Sequence, residues 1–234
     1  MLVFILAESA LEVIPQEIWG HPSVKSYQER REKPLRKLFL DRSYHHAAML
    51  KISNAEKRGR PDIAYMNLLT VLGSPLNLEG FMETYVHTVD DHVIRIKPLT
   101  RLPRNYDRFI SLMEQLFEKN QVPETGEPLL TLRKETLPQL LQSLRPDHIV
   151  AFTRLGKPKN VEKTVSTLTD FNRPAVLIGG FPHGHLSRTN FQLADENICV
   201  DSEMLDSWIV SGRIIYEYER AMNLPDKRLQ KGKE

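Results

Sequence analysis

Short apolar runs alternate along the chain with longer stretches in which apolar residues recur at helical spacing, the signature of mixed strand and helix structure. Leu2 to Ala7 reads as a first buried strand. Thr84 to Thr88 and Val93 to Ile96 read as a hairpin about the connection Val89 to His92. Ile149-Val150-Ala151-Phe152, Ala175 to Ile178 and Ile198-Cys199-Val200 are further short strands. A helix is expected from Asp41, its N-cap, with Tyr44, Ala47, Ala48 and Met49 near a common face. Another begins at Pro61, runs to about Leu72 and stops at Gly73-Ser74-Pro75. The segment Arg101 to Arg108 introduces a third, whose stripe is Phe109, Leu112, Met113, Leu116 and Phe117.

Glu135 to Leu144 is a short amphipathic helix, and Lys159 to about Thr169 turns Val161, Val165 and Leu168 inward. Lying between two apolar strands, the latter makes a βαβ unit and hence a parallel sheet. A last helix is expected directly after Asp201-Ser202-Glu203, with Met204, Leu205, Trp208, Ile209, Gly212, Ile215 and Tyr216 on one stripe. The prolines of the stretch from 15 to 60 allow only short helices there, and the tail from Asp226 is expected to be loose.

The strand Ala175 to Ile178 runs into Gly179-Gly180-Phe181-Pro182-His183-Gly184, where backbone must come close to something. Together with the polar start of the last helix, this loop makes a plausible floor for a ligand pocket. The spacing matches neither G-x-G-x-x-G nor a Walker A loop, and the 50 residues after Gly184 are too few for a Rossmann sheet built on that turn.

Composition changes the picture at a few points. A chain of 234 residues, 41% hydrophobic and 26% charged, is long enough for one large domain. A single cysteine, Cys199, leaves no internal disulfide. The lack of a long apolar span or a basic leader before Leu2 predicts a cytoplasmic protein without a membrane anchor. Net charge is +2, yet His21 to Arg60 carries eleven Lys/Arg against four acids, a local +7. Such a segment is either a solvated face or a surface for nucleic-acid phosphates. Arg60-Pro61-Asp62 is either a helix cap with a solvated ion pair or an arginine aimed by its carboxylate at an RNA group. Arg101, Arg104 and Arg108 beside Tyr106 are either a soluble helix start or a grip for RNA phosphates with a ring to stack a base. His45-His46 point in divergent directions on a helix and read as packing, and Asp90-Asp91 reads as a turn, so no metal site is expected.

Five motifs, in order, resemble those of the small-subunit rRNA pseudouridine N1-methyltransferases: Leu40 to His46, Gly59-Arg60-Pro61-Asp62, Ser74 to Asn77, Arg101 to Phe109, and Ile178 to Gly184. The likeness spans nearly the whole chain, which looks like the archaeal form. It implies a SPOUT (α/β-knot) fold, mainly parallel, as a single domain over 1–234 with a basic insertion at about 15–60 and a C-terminal trefoil knot at about 147–222. It implies S-adenosylmethionine as cofactor, a homodimer, and a pseudouridine-containing rRNA loop as substrate in ribosome biogenesis. By the same resemblance, Leu177, Gly179, Gly180, Gly184, Cys199, Val200, Asp201, Ser202, Glu203, Met204 and Leu205 form the cofactor site. Arg60, Arg101, Arg104 and Arg108 contact RNA, and Asp62 steadies Arg60 or acts as a base. His185 departs from the small or acidic residue expected after Gly184. Two rivals stand beside this reading: a non-catalytic assembly factor that keeps the RNA surface, and a SPOUT enzyme for another nucleoside.

Overall fold

The computed structural model describes residues 1–231. In chain order its elements are strand β1 (Leu2–Ser9), helices α1 (Pro22–Arg31), α2 (Arg42–Met49), α3 (Pro61–Leu72) and α4 (Pro75–Leu78), and strands β2 (Met82–Thr88) and β3 (His92–Ile96). There follow α5 (Tyr106–Lys119), β4 (Gln121–Val122), β5 (Leu130–Lys134), α6 (Leu137–Leu144), β6 (His148–Pro158), α7 (Val161–Leu168), β7 (Pro174–Gly179), α8 (Arg188–Phe191), β8 (Glu196–Cys199), α9 (Ser207–Ala221) and α10 (Leu224–Lys231).

The strands form one sheet in the order β4-β5-β3-β2-β1-β7-β6-β8. β2, β1, β7, β6 and β8 are parallel, and the hairpin partner β3 starts an antiparallel edge continued by β5 and β4. The mainly parallel α/β class predicted from the apolar runs is therefore borne out. β1 is central because it is apolar on both sides: Leu2, Phe4 and Leu6 join the core under α3, α5 and α9, whereas Val3, Ile5 and Ala7 join the one under α6. Burying each of the larger of these side chains contributes about 1.5–3 kcal/mol. The stretch 15–60 has a core of its own, with Ile18, Val24, Tyr27, Leu38, Leu40 and Met49 packed together.

Several elements differ from expectation. On α2 the inward residues are His45, Ala48 and Met49, while Tyr44 and Ala47 are exposed. The β5 strand was missed because its alternating pair, Leu130 and Leu132, is short and follows the turn-rich Pro123 to Pro128. α9 starts at Ser207, after Asp206, so Met204 and Leu205 lie in a loop. Its inward stripe is Ser211, Ile214, Ile215 and Tyr218, rotated away from Ile209 and Tyr216, which face out. The tail does not fray at Asp226: α10 buries Leu224 and pairs Arg228 with Glu79 at 2.7 Å. Residues 232–234 of that tail lie outside the described residues. No described helix is long and apolar enough to cross a membrane.

Candidate functional site

β1, β7, β6 and β8 end on the same side, and a cavity of about 320 Å³ opens there. It is walled by Phe152, Thr153 and Arg154 of β6, by the loop from Ile178 to Leu186, and by the stretch from Cys199 to Trp208. The carboxyl end of a parallel sheet is where α/β folds hold ligands, since side chains stop there and loop backbone is exposed.

Gly179, Gly184, Cys199, Val200, Asp201, Glu203, Met204 and Leu205 all line this cavity, as does Arg60. Leu177, Gly180 and Ser202 do not. Strand alternation explains Leu177, which packs into the opposite core with Ala151 and Ala175, and puts Ile178 at the cavity instead. Gly180 serves the fold: a Cβ there would fall 2.8 Å from Leu6 and 2.9 Å from the Ser9 backbone, and its N–H and C=O bond to Ala7 and Ala10. Gly184 has φ +91, a conformation that side chains disfavour. Its φ, more than crowding, requires glycine, because the nearest atom to an added Cβ is Lys57 Cε at 3.2 Å.

Residues beyond the sequence prediction also line the cavity, among them Ile63, Phe152, Phe181, His185 and Trp208. Arg154 adds a cation with no ion partner among the described residues. Phe181 belongs to the loop that the glycines mark, whereas Ile63, Phe152 and Arg154 lie on a helix and a strand whose local pattern gives no sign of a ligand. Cys199 donates to the Asp201 carbonyl at 3.1 Å, and Arg213 donates to the Asp201 carboxylate at 3.3 Å, fixing the stretch after β8.

Arg60 stands at the start of α3, with Asp62 in the first helical turn. The two form a bidentate pair, Nε to Oδ1 at 2.8 Å and Nη2 to Oδ2 at 2.7 Å. This bonding, above all the Asp62 hydrogen bond, raises the Arg60 pKa, so the group stays cationic, and the fork geometry fixes the guanidinium plane. Asp62 itself does not line the cavity.

Arg101, Arg104 and Arg108 are exposed and have no ion pair among the described residues. The Tyr65 hydroxyl donates to the Arg104 carbonyl, tying this segment to α3. Tyr106 is less free than expected: its hydroxyl bonds to Asp41 at 3.1 Å and its ring meets Tyr65 edge-on at 5.5 Å. The basic stretch 21–60 likewise differs from a free phosphate surface. Six of its eleven cations pair with acids: Arg31 and Lys33 with Glu114, Lys37 with Glu118, Lys57 with Glu8, Arg58 with Glu12, and Arg60 with Asp62. Most of that charge fastens the insertion to the sheet and α5. His45, fully buried, accepts from the Asp41 N–H at 3.0 Å, and burial lowers its pKa. No group of three or more metal-ligating side chains occurs among the described residues.

An α/β sheet with a ligand cavity at its parallel carboxyl ends, lined by one oriented arginine and one unpaired one, with three more unpaired arginines exposed on the segment entering α5, defines a small-molecule-binding protein with an anion-seeking surface. The model for the EMG1/NEP1 methyltransferases matches residues 4–219, and the chain belongs to that family. It is 42% identical over 224 residues to the ribosomal RNA small subunit methyltransferase Nep1 of Thermococcus kodakarensis, covering 96% of this chain and all (100%) of that one. Its likeness to the Pyrococcus furiosus Nep1 is 42% over 221 residues, 93% of this chain and 96% of the relative. The fold matches the crystal structure of Archaeoglobus fulgidus Nep1 bound to S-adenosylhomocysteine, with a TM-score of 0.84, 35% identity, and coverage of 94% and 98% of the two chains.

Proposed function

We propose that the protein is an S-adenosylmethionine-dependent methyltransferase acting on N1 of a pseudouridine in a loop of small-subunit rRNA, as a cytoplasmic homodimer with a knotted C-terminal region. The observation that carries the reading is Arg60, aimed by Asp62, at the rim of a cavity whose other walls are the 178–186 and 199–208 loops. The residues suit the cofactor: Phe152, Val200 and Leu205 offer apolar walls for an adenine ring, and Asp201 and Glu203 offer carboxylates to sugar hydroxyls. When bound, S-adenosylmethionine supplies an electrophilic methyl group on a sulfonium.

Arg60 then acts on the base. As N1 gives its proton to water, negative charge grows on the ring and the guanidinium offsets it, and N1 takes the methyl as the methyl–sulfur bond breaks. Asp62 is a positioning residue in this scheme, because both its oxygens are engaged by Arg60. No cysteine nucleophile is required for attack by a ring nitrogen. Arg101, Arg104 and Arg108 hold phosphates on either side of the target, which must leave its stack to enter the cavity.

Methyl transfer to paired RNA hairpins that differ only in uridine or pseudouridine at the target tests this. Transfer to the pseudouridine hairpin alone is expected, since uridine has no free N1. Binding of both without transfer would point to an assembly factor, and methylation of the uridine hairpin to a different nucleoside.

A further inference from the structure

A second cavity, about 170 Å³, lies between the insertion and α5, lined by Tyr27, Arg30, Tyr44, Pro61, Tyr106 and Asp107 among others. It neighbours the larger one directly: Arg60 lines the first and the next residue, Pro61, lines the second. Its floor is aromatic. The Tyr27 and Tyr44 rings lie 4.8 Å apart, tilted by 31°, and Tyr27 is braced edge-on by His45 at 4.7 Å. Tyr27 is buried, but Tyr44 is 47% exposed. The Arg30 guanidinium sits 5.6 Å from the Tyr44 centroid and 5.8 Å from that of Tyr27, with no acid partner among the described residues.

We propose that this cavity holds an unpaired base of the substrate RNA, one or two nucleotides from the target, stacked on Tyr44 with Arg30 beside it. The proposal rests on the RNA-loop reading above. An exposed ring on a fixed aromatic base, with a free guanidinium beside it, is the platform that takes a single-stranded base by stacking. The carboxylates of Asp41, held by the Ser43 N–H and the Tyr106 hydroxyl, and of Asp107 on the same walls repel a phosphate, and Asp107 can accept from the N–H edge of a base, so a nucleobase is the occupant. The arginines at 101, 104 and 108 flank Tyr106 and Asp107 of this wall, and so lie where the backbone of that nucleotide would pass.

The test uses a hairpin with pseudouridine in its loop and a series in which each other loop nucleotide in turn is abasic. Tyr44→Ala is expected to weaken binding of the intact hairpin about ten-fold, within the range for loss of one base–aromatic stack. Tyr44→Phe should stay near wild type, and S-adenosylhomocysteine affinity should be unchanged in both. One abasic position within two nucleotides of the target should weaken wild-type binding similarly and cost Tyr44→Ala nothing more. Should Tyr44→Ala not fold, Arg30→Met must show the same non-additivity at the same position. Wild-type-like binding by Tyr44→Ala, or an equal further loss at every abasic position, would overturn the pocket while wild-type methylation left the function standing. A wild-type protein that neither binds nor methylates the intact hairpin would overturn the function itself, and the pocket with it.

Discussion

At the scale of single residues, Glu8 links the insertion to the cavity loop. It lies at the register shift between Leu6 and Ser9 near the end of β1 with a positive φ of 49, a conformation rare for a side-chain-bearing residue and held only where surroundings demand it. Its buried carboxylate accepts from Lys57 Nζ at 2.7 Å, from the Ser187 N–H at 2.7 Å and from Asn190 Nδ2 at 2.8 Å. Lys57 in turn lies 4.4 Å from the Phe181 ring centroid and beneath Gly184. Burial alone would raise the Glu8 pKa, but these donors outweigh it and hold the group below its ordinary value. A depressed carboxylate pKa adds stability that is complete above the unfolded value, about 4.3, and is lost as pH falls through the lower folded value. Glu8→Gln is therefore expected to lower stability at neutral pH by about 1.5–3 kcal/mol, the scale of a charge-assisted hydrogen bond. The gap between variant and wild type should shrink as pH is taken below 4. Thermal unfolding of both proteins from pH 3 to pH 7 checks this; a gap that is constant across the range would remove Glu8 ionisation from the account.

At the scale of elements, chemistry that depends on local pattern was legible in the sequence and chemistry that depends on distant contacts was not. The Gly59 turn, Pro61 at the first position of α3, and the Asp62 carboxylate two residues from Arg60 are local, and the structure places them as read. The start of α9 was misjudged because Asp201-Ser202-Glu203 has the composition of a cap, whereas those residues follow β8 and the cap position falls to Asp206. Charge was misjudged for a different reason: acids on β1, just after it and on α5, far away in sequence, neutralise the insertion, and only the fold brings Glu8, Glu12 and Glu114 to it. Free charge remains on the segment before α5. Arg104→Ala should accordingly weaken RNA binding and reduce the salt slope by about 0.7, the value for one lost phosphate contact on a single strand. Lys37→Ala, by contrast, should leave the slope near wild type because Glu118 already holds that ammonium at 2.8 Å. RNA affinity over a salt series separates the two; equal slopes in both variants and wild type would mean that the arginine segment is a solvated face.

At the scale of the whole molecule, one apolar surface has no cover in a single chain. α3 and α9 pack together through Asn67, whose amide donates to Ser207 Oγ at 2.7 Å and accepts from Ser211 Oγ at 2.7 Å, and a Cβ added at Gly212 would fall 3.6 Å from Thr70 Cγ2. One turn from Thr70 on α3 is Met66, and three and four residues from Gly212 on α9 are Ile209 and Tyr216, which are 44% and 56% exposed. These residues continue one outward stripe, the half of the predicted α9 stripe that the core does not use. Trp208 and Val210, on the same first turn, line the large cavity, so a second copy seated on this stripe would close against that cavity. A stable dimer needs roughly 1,200–2,000 Å² of buried surface, which two antiparallel copies of this helix pair could supply as a self-complementary patch. Sedimentation at micromolar concentration is expected to show a dimer, and Tyr216→Asp to shift it to monomer by placing two like charges in that patch. The monomer should also bind S-adenosylhomocysteine several-fold more weakly, because the helix turn carrying Trp208 loses its support. A wild-type monomer with full methyl transfer would remove both the interface and its link to the cavity, whereas a dimer that survives Tyr216→Asp would place the interface on another face.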